Sequence, residues 1–95
     1  MSTYFVMLRE KTLDPAALEQ YGPRAAKAAE GHSLTPLVVY GDMVNLEGEK
    51  VEGAVILEFP NLAAAHAWYH SPAYQEAVAF RHTGSKSRAF LVEGT

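Results

Sequence analysis

Hydrophobic and polar positions alternate in two rhythms along the chain. Thr3–Arg9 (TYFVMLR) is apolar almost throughout, which predicts a strand covered on both faces. Leu18, Tyr21, Ala25 and Ala28, with Ala29 beside it, then recur at spacings of three and four, the stripe of a helix with one face on a core. Asp14 stands where an N-cap is needed, and Pro15 falls at the first helical position, where its missing N–H costs nothing. Gly31 is the expected stop. Pro23 lies inside this helix, removes the hydrogen bond to the Glu19 carbonyl and is expected to kink it.

Leu34–Tyr40 (LTPLVVY) predicts a second strand, with Pro36 suited to a strand start or an edge. Gly41-Asp42 turns the chain or makes a bulge, and Met43–Leu46 extends the strand or returns as a short extra one. Val51–Phe59 (VEGAVILEF) is the clearest strand. Val51, Gly53, Val55, Leu57 and Phe59 share one face, and Glu52, Ala54, Ile56 and Glu58 the other. Pro60 ends it. Asn61 caps a helix to about His70, and Ser71-Pro72 restarts the helix with a new cap and a proline at its first position. Tyr74, Ala77, Val78 and Arg81 form one stripe of the second piece. Gly84 stops it, and Ser87–Glu93 (SRAFLVE) predicts the last strand. The order β-α-β-β-α-β is the α+β, ferredoxin-like arrangement with an antiparallel sheet. Two helices cover one face of such a sheet. Nothing in the chain covers the other, so a second copy packed sheet on sheet is expected, a homodimer.

The 95 residues suit one domain spanning residues 1–95. Eight Lys and Arg against eleven Asp and Glu leave a net charge of −3, which argues against nucleic acid as a partner. The 48% hydrophobic and 20% charged content is that of a folded protein. There is no cysteine, so disulfides, thiolate metal sites and cysteine nucleophiles are excluded. No apolar run approaches the roughly 20 residues that span a bilayer, and no signal peptide is visible. No membrane partner and a cytoplasmic location are therefore expected.

Arg81 is the most informative candidate residue. Its stem follows the buried stripe, and a guanidinium placed there needs an acceptor. Either it pairs structurally, with Glu58 or with helix-end carbonyls, or it clamps a carboxylate or enolate oxygen of a ligand. Trp68, Tyr69 and Tyr74 bracket the Ser71-Pro72 break and read as core, or as the wall of a pocket between helices and sheet. His82 neighbours Arg81 close to a helix C-terminus, which favours a solvent-facing imidazolium; a general base is the alternative. These five residues form the candidate ligand pocket. Ser71 is already explained by capping. His66 and His70 share a helix face but lack the companion ligands of a metal motif, so no metal is expected. Without GxGxxG or GxxxxGK[ST], no nucleotide or other cofactor is expected.

Glu58-Phe59-Pro60, Ala65, Trp68-Tyr69, Ser71-Pro72, Tyr74-Gln75, Arg81 and Val92-Glu93-Gly94 form an ordered series. Tyr4, Asp14-Pro15, Tyr21, Gly31 and Leu46-Glu47-Gly48 precede it. Together they resemble a bacterial family of domains of unknown function, of about this length, within the dimeric α/β-barrel superfamily. Gly31-His32 replaces what would be two glycines there, and Tyr40 replaces a basic residue. The resemblance implies the fold and the dimer. The wider superfamily includes cofactor-free monooxygenases, muconolactone isomerases, polyketide cyclases, haem-degrading enzymes and chlorite dismutase-like proteins, so it implies no single reaction.

Two functions remain open. One is a non-catalytic binding or stress-associated dimer, in which each of these residues packs or caps. The other is a cofactor-independent isomerase, cyclase or monooxygenase acting on a small oxygenated organic molecule between helices and sheet, with Arg81 holding charge and a Tyr or His moving a proton.

Overall fold

The computed structural model describes all residues, Met1–Thr95. The elements are β1 (Thr3–Thr12), α1 (Pro15–Ala28), β2 (Thr35–Val39), β3 (Gly53–Phe59), α2 (Leu62–Tyr69), α3 (Pro72–Gly84) and β4 (Ser85–Glu93). The strands form one antiparallel sheet in the order β2-β3-β1-β4, as the ferredoxin-like reading requires. Pro36 lies on the edge strand β2, beside a register shift between Pro36 and Val38. An edge tolerates the missing donor there.

The caps act as their residue types dictate. The Asp14 carboxylate accepts from the N–H groups of Ala16 and Ala17 at 3.1 and 3.4 Å. The Asn61 side chain accepts from Ala64 N–H at 2.8 Å, and the Ser71 hydroxyl from Tyr74 N–H at 3.2 Å. The Ser71-Pro72 break thus separates two helices, α2 and α3. Helix α1 continues through Pro23 to Ala28, and Gly31 turns the chain at φ 80°. The Gly84 carbonyl accepts from Leu13 and Asp14 N–H at 2.8 and 3.0 Å, tying the end of α3 to the start of α1.

Two expectations are corrected. No strand forms over Met43–Leu46. The segment between β2 and β3 is exposed, with Val44 and Leu46 more than four-fifths accessible, and no neighbouring strand completes a ladder for it. The long strands also extend further than the apolar pattern: β1 continues to Thr12 and β4 begins at Ser85 because Lys11 and Thr12 pair with Lys86 and Ser85. Backbone pairing across a bulge sustains these ends without apolar side chains.

Register sorts the side chains. Thr3, Phe5, Met7 and Arg9 of β1 stand opposite Phe59, Leu57, Val55 and Gly53 of β3, and opposite Glu93, Leu91, Ala89 and Ser87 of β4. This face meets the helices. Its core is Phe5, Met7 and Phe59 against Ala65, Trp68, Tyr74, Val78 and Ala28. Each large side chain fully buried here contributes roughly 1.5–3 kcal/mol. The opposite face carries Tyr4, Val6 and Leu8, with Ala54 and Ile56 of β3 and Phe90 and Val92 of β4. No element of the chain covers it, and Phe90 and Val92 are about half exposed.

Candidate ligand site

A cavity of about 350 Å³ opens between α1 and the helix-facing side of the sheet. Leu18, Tyr21 and Ala25 of α1, with Ala29 at its C-cap, form one wall; Met7, Val39, Val55 and Leu57 of the sheet form the other. Trp68 and Tyr74 close its inner end, and Tyr40 and Arg9 lie on its rim. Small alanines on α1 leave the space, and the large residues beyond them are already engaged in the core. Of the 17 lining residues 14 are hydrophobic. Side-chain polarity comes from Arg9, Trp68 and three tyrosines, Tyr21, Tyr40 and Tyr74.

The inner end is aromatic. Trp68 packs on Tyr74 at 4.2 Å between ring centroids, edge-on to Phe5 at 5.0 Å and against Phe59 at 5.3 Å. The hydroxyls of Tyr21 and Tyr74 are hydrogen-bonded at 2.8 Å. Burial pushes both phenols above the ordinary tyrosine range. Their mutual interaction raises Tyr74 further, and the Arg81 charge pulls both partly back. Both stay protonated at neutral pH and act as donors rather than bases.

Tyr40 adopts φ 54°, the left-handed region. This directs its ring over β3, where a Cβ on Gly53 would come within 2.6 Å of Tyr40 Cδ1. Glycine at 53 therefore makes room for the ring. The Arg9 guanidinium lies 4.8 Å from the Tyr40 centroid, a cation–π contact. Arg9 Nε is 3.5 Å from Glu52 Oε1, and Glu52 also accepts from the Thr12 hydroxyl at 2.6 Å.

Arg81 is buried, 3% exposed. Its expected partner is corrected. Glu58 lies on the opposite face of the sheet, where its carboxylate accepts from the Tyr4 hydroxyl at 3.3 Å. Arg81 Nη1 donates instead to the Ser87 hydroxyl of β4 at 2.5 Å. The guanidinium also lies 5.9 Å from the Tyr21 ring centroid, behind the hydroxyl pair. Its backbone carbonyl accepts from the Ser85 hydroxyl at 3.0 Å.

The five sequence candidates are thus distributed. Trp68 and Tyr74 line the cavity. Arg81 stands behind it. Tyr69 is half-buried and faces a second, smaller cleft of about 220 Å³ with His66, His70 and Phe90. His82 is exposed on α3, and desolvation, then the Arg81 charge, hold its pKa below the usual imidazole value. The rings of His66 and His70 stack at 5.5 Å, and no third His, Asp or Glu joins them in a metal-binding cluster. Sequence reasoning missed Arg9 and Tyr40 as site residues and placed Tyr21 only in the core. The alternation of β1 puts Arg9 on the face of Phe5 and Met7, which was the available signal.

The sequence profile of a domain of unknown function, DUF1330, matches residues 2–95. The chain belongs to the DUF1330 family. Among solved structures it is similar to the methylated RPA0582 protein, with a TM-score of 0.78 at 20% identity, covering 99% of this chain and 81% of that one. A second structure of RPA0582, from Rhodopseudomonas palustris, is described as a protein of unknown function. A dimeric ferredoxin-like protein of unknown function from Thermobifida fusca matches with a TM-score of 0.66 at 16% identity, over 97% and 90% of the chains. SnoaB of Streptomyces nogalater, a cofactor-independent oxygenase, matches with a TM-score of 0.62 at 14% identity, over 99% and 93%. At such identities the likeness establishes the ferredoxin-like fold of this DUF1330 chain and nothing of its chemistry. No curated protein matches it. No helix is long and apolar enough to cross a membrane.

Proposed function

We propose that this DUF1330 protein is a homodimer that binds a compact, mostly apolar organic molecule in the cavity between α1 and the sheet. The observation that carries the reading is the cavity itself: about 350 Å³, with 14 of 17 lining residues hydrophobic. It falls within the ~300–1,000 Å³ range of small-molecule sites, which are apolar with a few placed polar groups. The dimer is supported by the uncovered apolar face of Tyr4, Val6, Leu8, Ile56, Phe90 and Val92, and similar folds from Thermobifida fusca and Bacteroides fragilis are described as dimeric. Binding without turnover is supported by the lining, which includes no His, Asp or Glu, so no side chain of the wall is suited to accept a proton.

A cofactor-independent enzyme is the second reading. It is favoured by the protonated Tyr21–Tyr74 pair beside the Arg81 charge, an arrangement able to stabilise an oxyanion as it develops. Trp68 and Tyr74 on the wall and Arg81 behind it are the sequence candidates kept for this cavity, joined by Tyr21, Tyr40 and Arg9; Tyr69 and His82 are not among its residues.

A thermal-shift and calorimetric screen of small aromatic and lactone compounds tests binding, with Ala25→Phe as the blocked variant. Binding by the wild type, lost in a folded Ala25→Phe protein, is the expected result. Retention of binding in the filled variant would remove the cavity from the account. Turnover of any bound compound, abolished by Tyr74→Phe without loss of affinity, would establish the enzymatic reading instead.

A further inference from the structure

Charge does not balance inside this end of the molecule. Arg9 and Ser87 are cross-strand partners on the helix-facing side of the sheet, so their side chains leave the sheet as neighbours. Ser87 in turn holds Arg81. The Arg9 guanidinium turns the other way, over the Tyr40 ring and toward Gly53 of β3, so the Arg81 guanidinium alone meets that hydroxyl. Arg9 has a carboxylate near it, Glu52 at 3.5 Å. Arg81 takes part in no ion pair of the chain and is 97% removed from solvent, being 3% exposed. Arg81 is thus one buried positive charge with no carboxylate of the chain to balance it.

Hydrogen bonding shows the same surplus. The Arg81 Nε–H and the Trp68 indole N–H on the cavity wall are both buried, and no group of the chain accepts from either. Tyr21 and Tyr74 carry two phenolic protons. One is used in the bond between them, and the other has no acceptor in the chain. Buried donors without acceptors are costly, and a buried guanidinium without an anion more so. A fold that holds three spare donors and one spare positive charge beside an apolar cavity is complementary to a single anionic oxygen group.

We infer that the ligand of this cavity is an aromatic or unsaturated monocarboxylate. Its apolar body lies against Val55, Leu57 and Trp68, and its carboxylate takes the spare phenolic proton of the Tyr21–Tyr74 pair as a hydrogen bond, on the side of the Arg81 guanidinium. Arg81 acts through Ser87 and the tyrosine pair and is a positioning residue. The inference rests on the cavity being a ligand site and adds the charge and chemical class of the occupant.

The test is calorimetric titration of the full-length protein with trans-cinnamate and with trans-cinnamamide, which has the same shape and no charge. Charge-assisted bonds of this kind lead us to expect cinnamate to bind about tenfold tighter or more. In Tyr21→Phe the preference falls to about twofold while cinnamamide affinity is retained. Arg81→Met gives the same loss of preference, and Tyr21→Phe keeps the test decisive if Arg81→Met does not fold. Equal affinities in the wild type, or a preference for the amide, overturn the monocarboxylate while leaving an apolar ligand site standing. A preference for cinnamate that survives in Tyr21→Phe and Arg81→Met overturns the assignment of the donors. Binding of neither compound, together with no hit in the wider screen, overturns the cavity as a site.

Discussion

Replacing Arg81 by Met separates packing from charge at the most buried cation of the molecule. The unbranched thioether retains most of the apolar stem that runs beside Tyr74, Ala77 and Val78. What is lost is the hydrogen bond to Ser87, on the order of 1.5–3 kcal/mol for a charged donor. What is relieved is the desolvation of a guanidinium that is 3% exposed and has no carboxylate. That penalty is several kcal/mol per ion before compensation. Ser87 is only half-buried, so its hydroxyl can be hydrated once Arg81 is gone. The two effects nearly cancel, and Arg81→Met should stay within about 1 kcal/mol of wild type. For a domain of this size that corresponds to about 4–8 °C in Tm. Arg81→Ala removes the stem as well and should cost roughly 2–4 kcal/mol through the cavity it leaves. Urea unfolding followed by circular dichroism, at one fixed protein concentration because a dimer's stability depends on it, measures both. A Met variant as unstable as the Ala variant would show that the guanidinium holds the fold together, and the argument for an unfilled positive charge would fail.

Three further outcomes follow from the same geometry. Tyr21 and Tyr74 have raised pKa values in the folded state, so the unfolded chain loses these protons first. Their contribution is therefore complete below about pH 10 and is lost as pH rises beyond it, by up to about 1.4 kcal/mol per pH unit for each tyrosine. Urea midpoints across that alkaline window should fall more steeply for wild type than for Tyr74→Phe, and parallel curves would contradict the buried pair. Gly84→Ala places a Cβ 2.8 Å from Leu18 Cγ and 3.0 Å from Leu18 N, forcing α1 and α3 apart at an expected cost of roughly 1–3 kcal/mol; an unchanged Tm would mean that the helices part freely. Phe90→Glu on the uncovered sheet face should shift the protein from dimer to monomer in sedimentation velocity, and an unchanged dimer would place the interface elsewhere.

Much of the fold was legible because its signals are local. Asp14-Pro15, Asn61 and Ser71-Pro72 each mark a helix start by their own chemistry, and Gly84 marks a stop. The stripe of Tyr74, Ala77, Val78 and Arg81 gave the buried face of α3 directly. The doubtful segments were those in which tertiary pairing decides. Met43–Leu46 has strand-like residues but no neighbour to pair with, and Lys11-Thr12 is polar yet pairs with β4 across a bulge. The site was half legible. Burial of Arg81 follows from helical spacing, but its partner depends on which sheet face Glu58 occupies. Alternation had already placed Glu58 opposite Phe59, away from the helices. Tyr40 at the rim depends on a left-handed backbone and on Gly53, the cross-strand partner of Arg9, and no linear spacing records such a contact.

The central claim is that the cavity between α1 and the sheet is where this protein holds a small molecule. Its most direct test is two-dimensional NMR of the labelled protein during a titration with trans-cinnamate. The chain has one tryptophan, so the Trp68 indole N–H gives a single resolved probe at the inner wall. On the present account that signal and the amides of Tyr21, Ala25, Val55 and Leu57 shift together and saturate with one affinity. Shifts confined to the exposed segment between β2 and β3 or to the helix-free face of the sheet, with Trp68 unmoved, would contradict it.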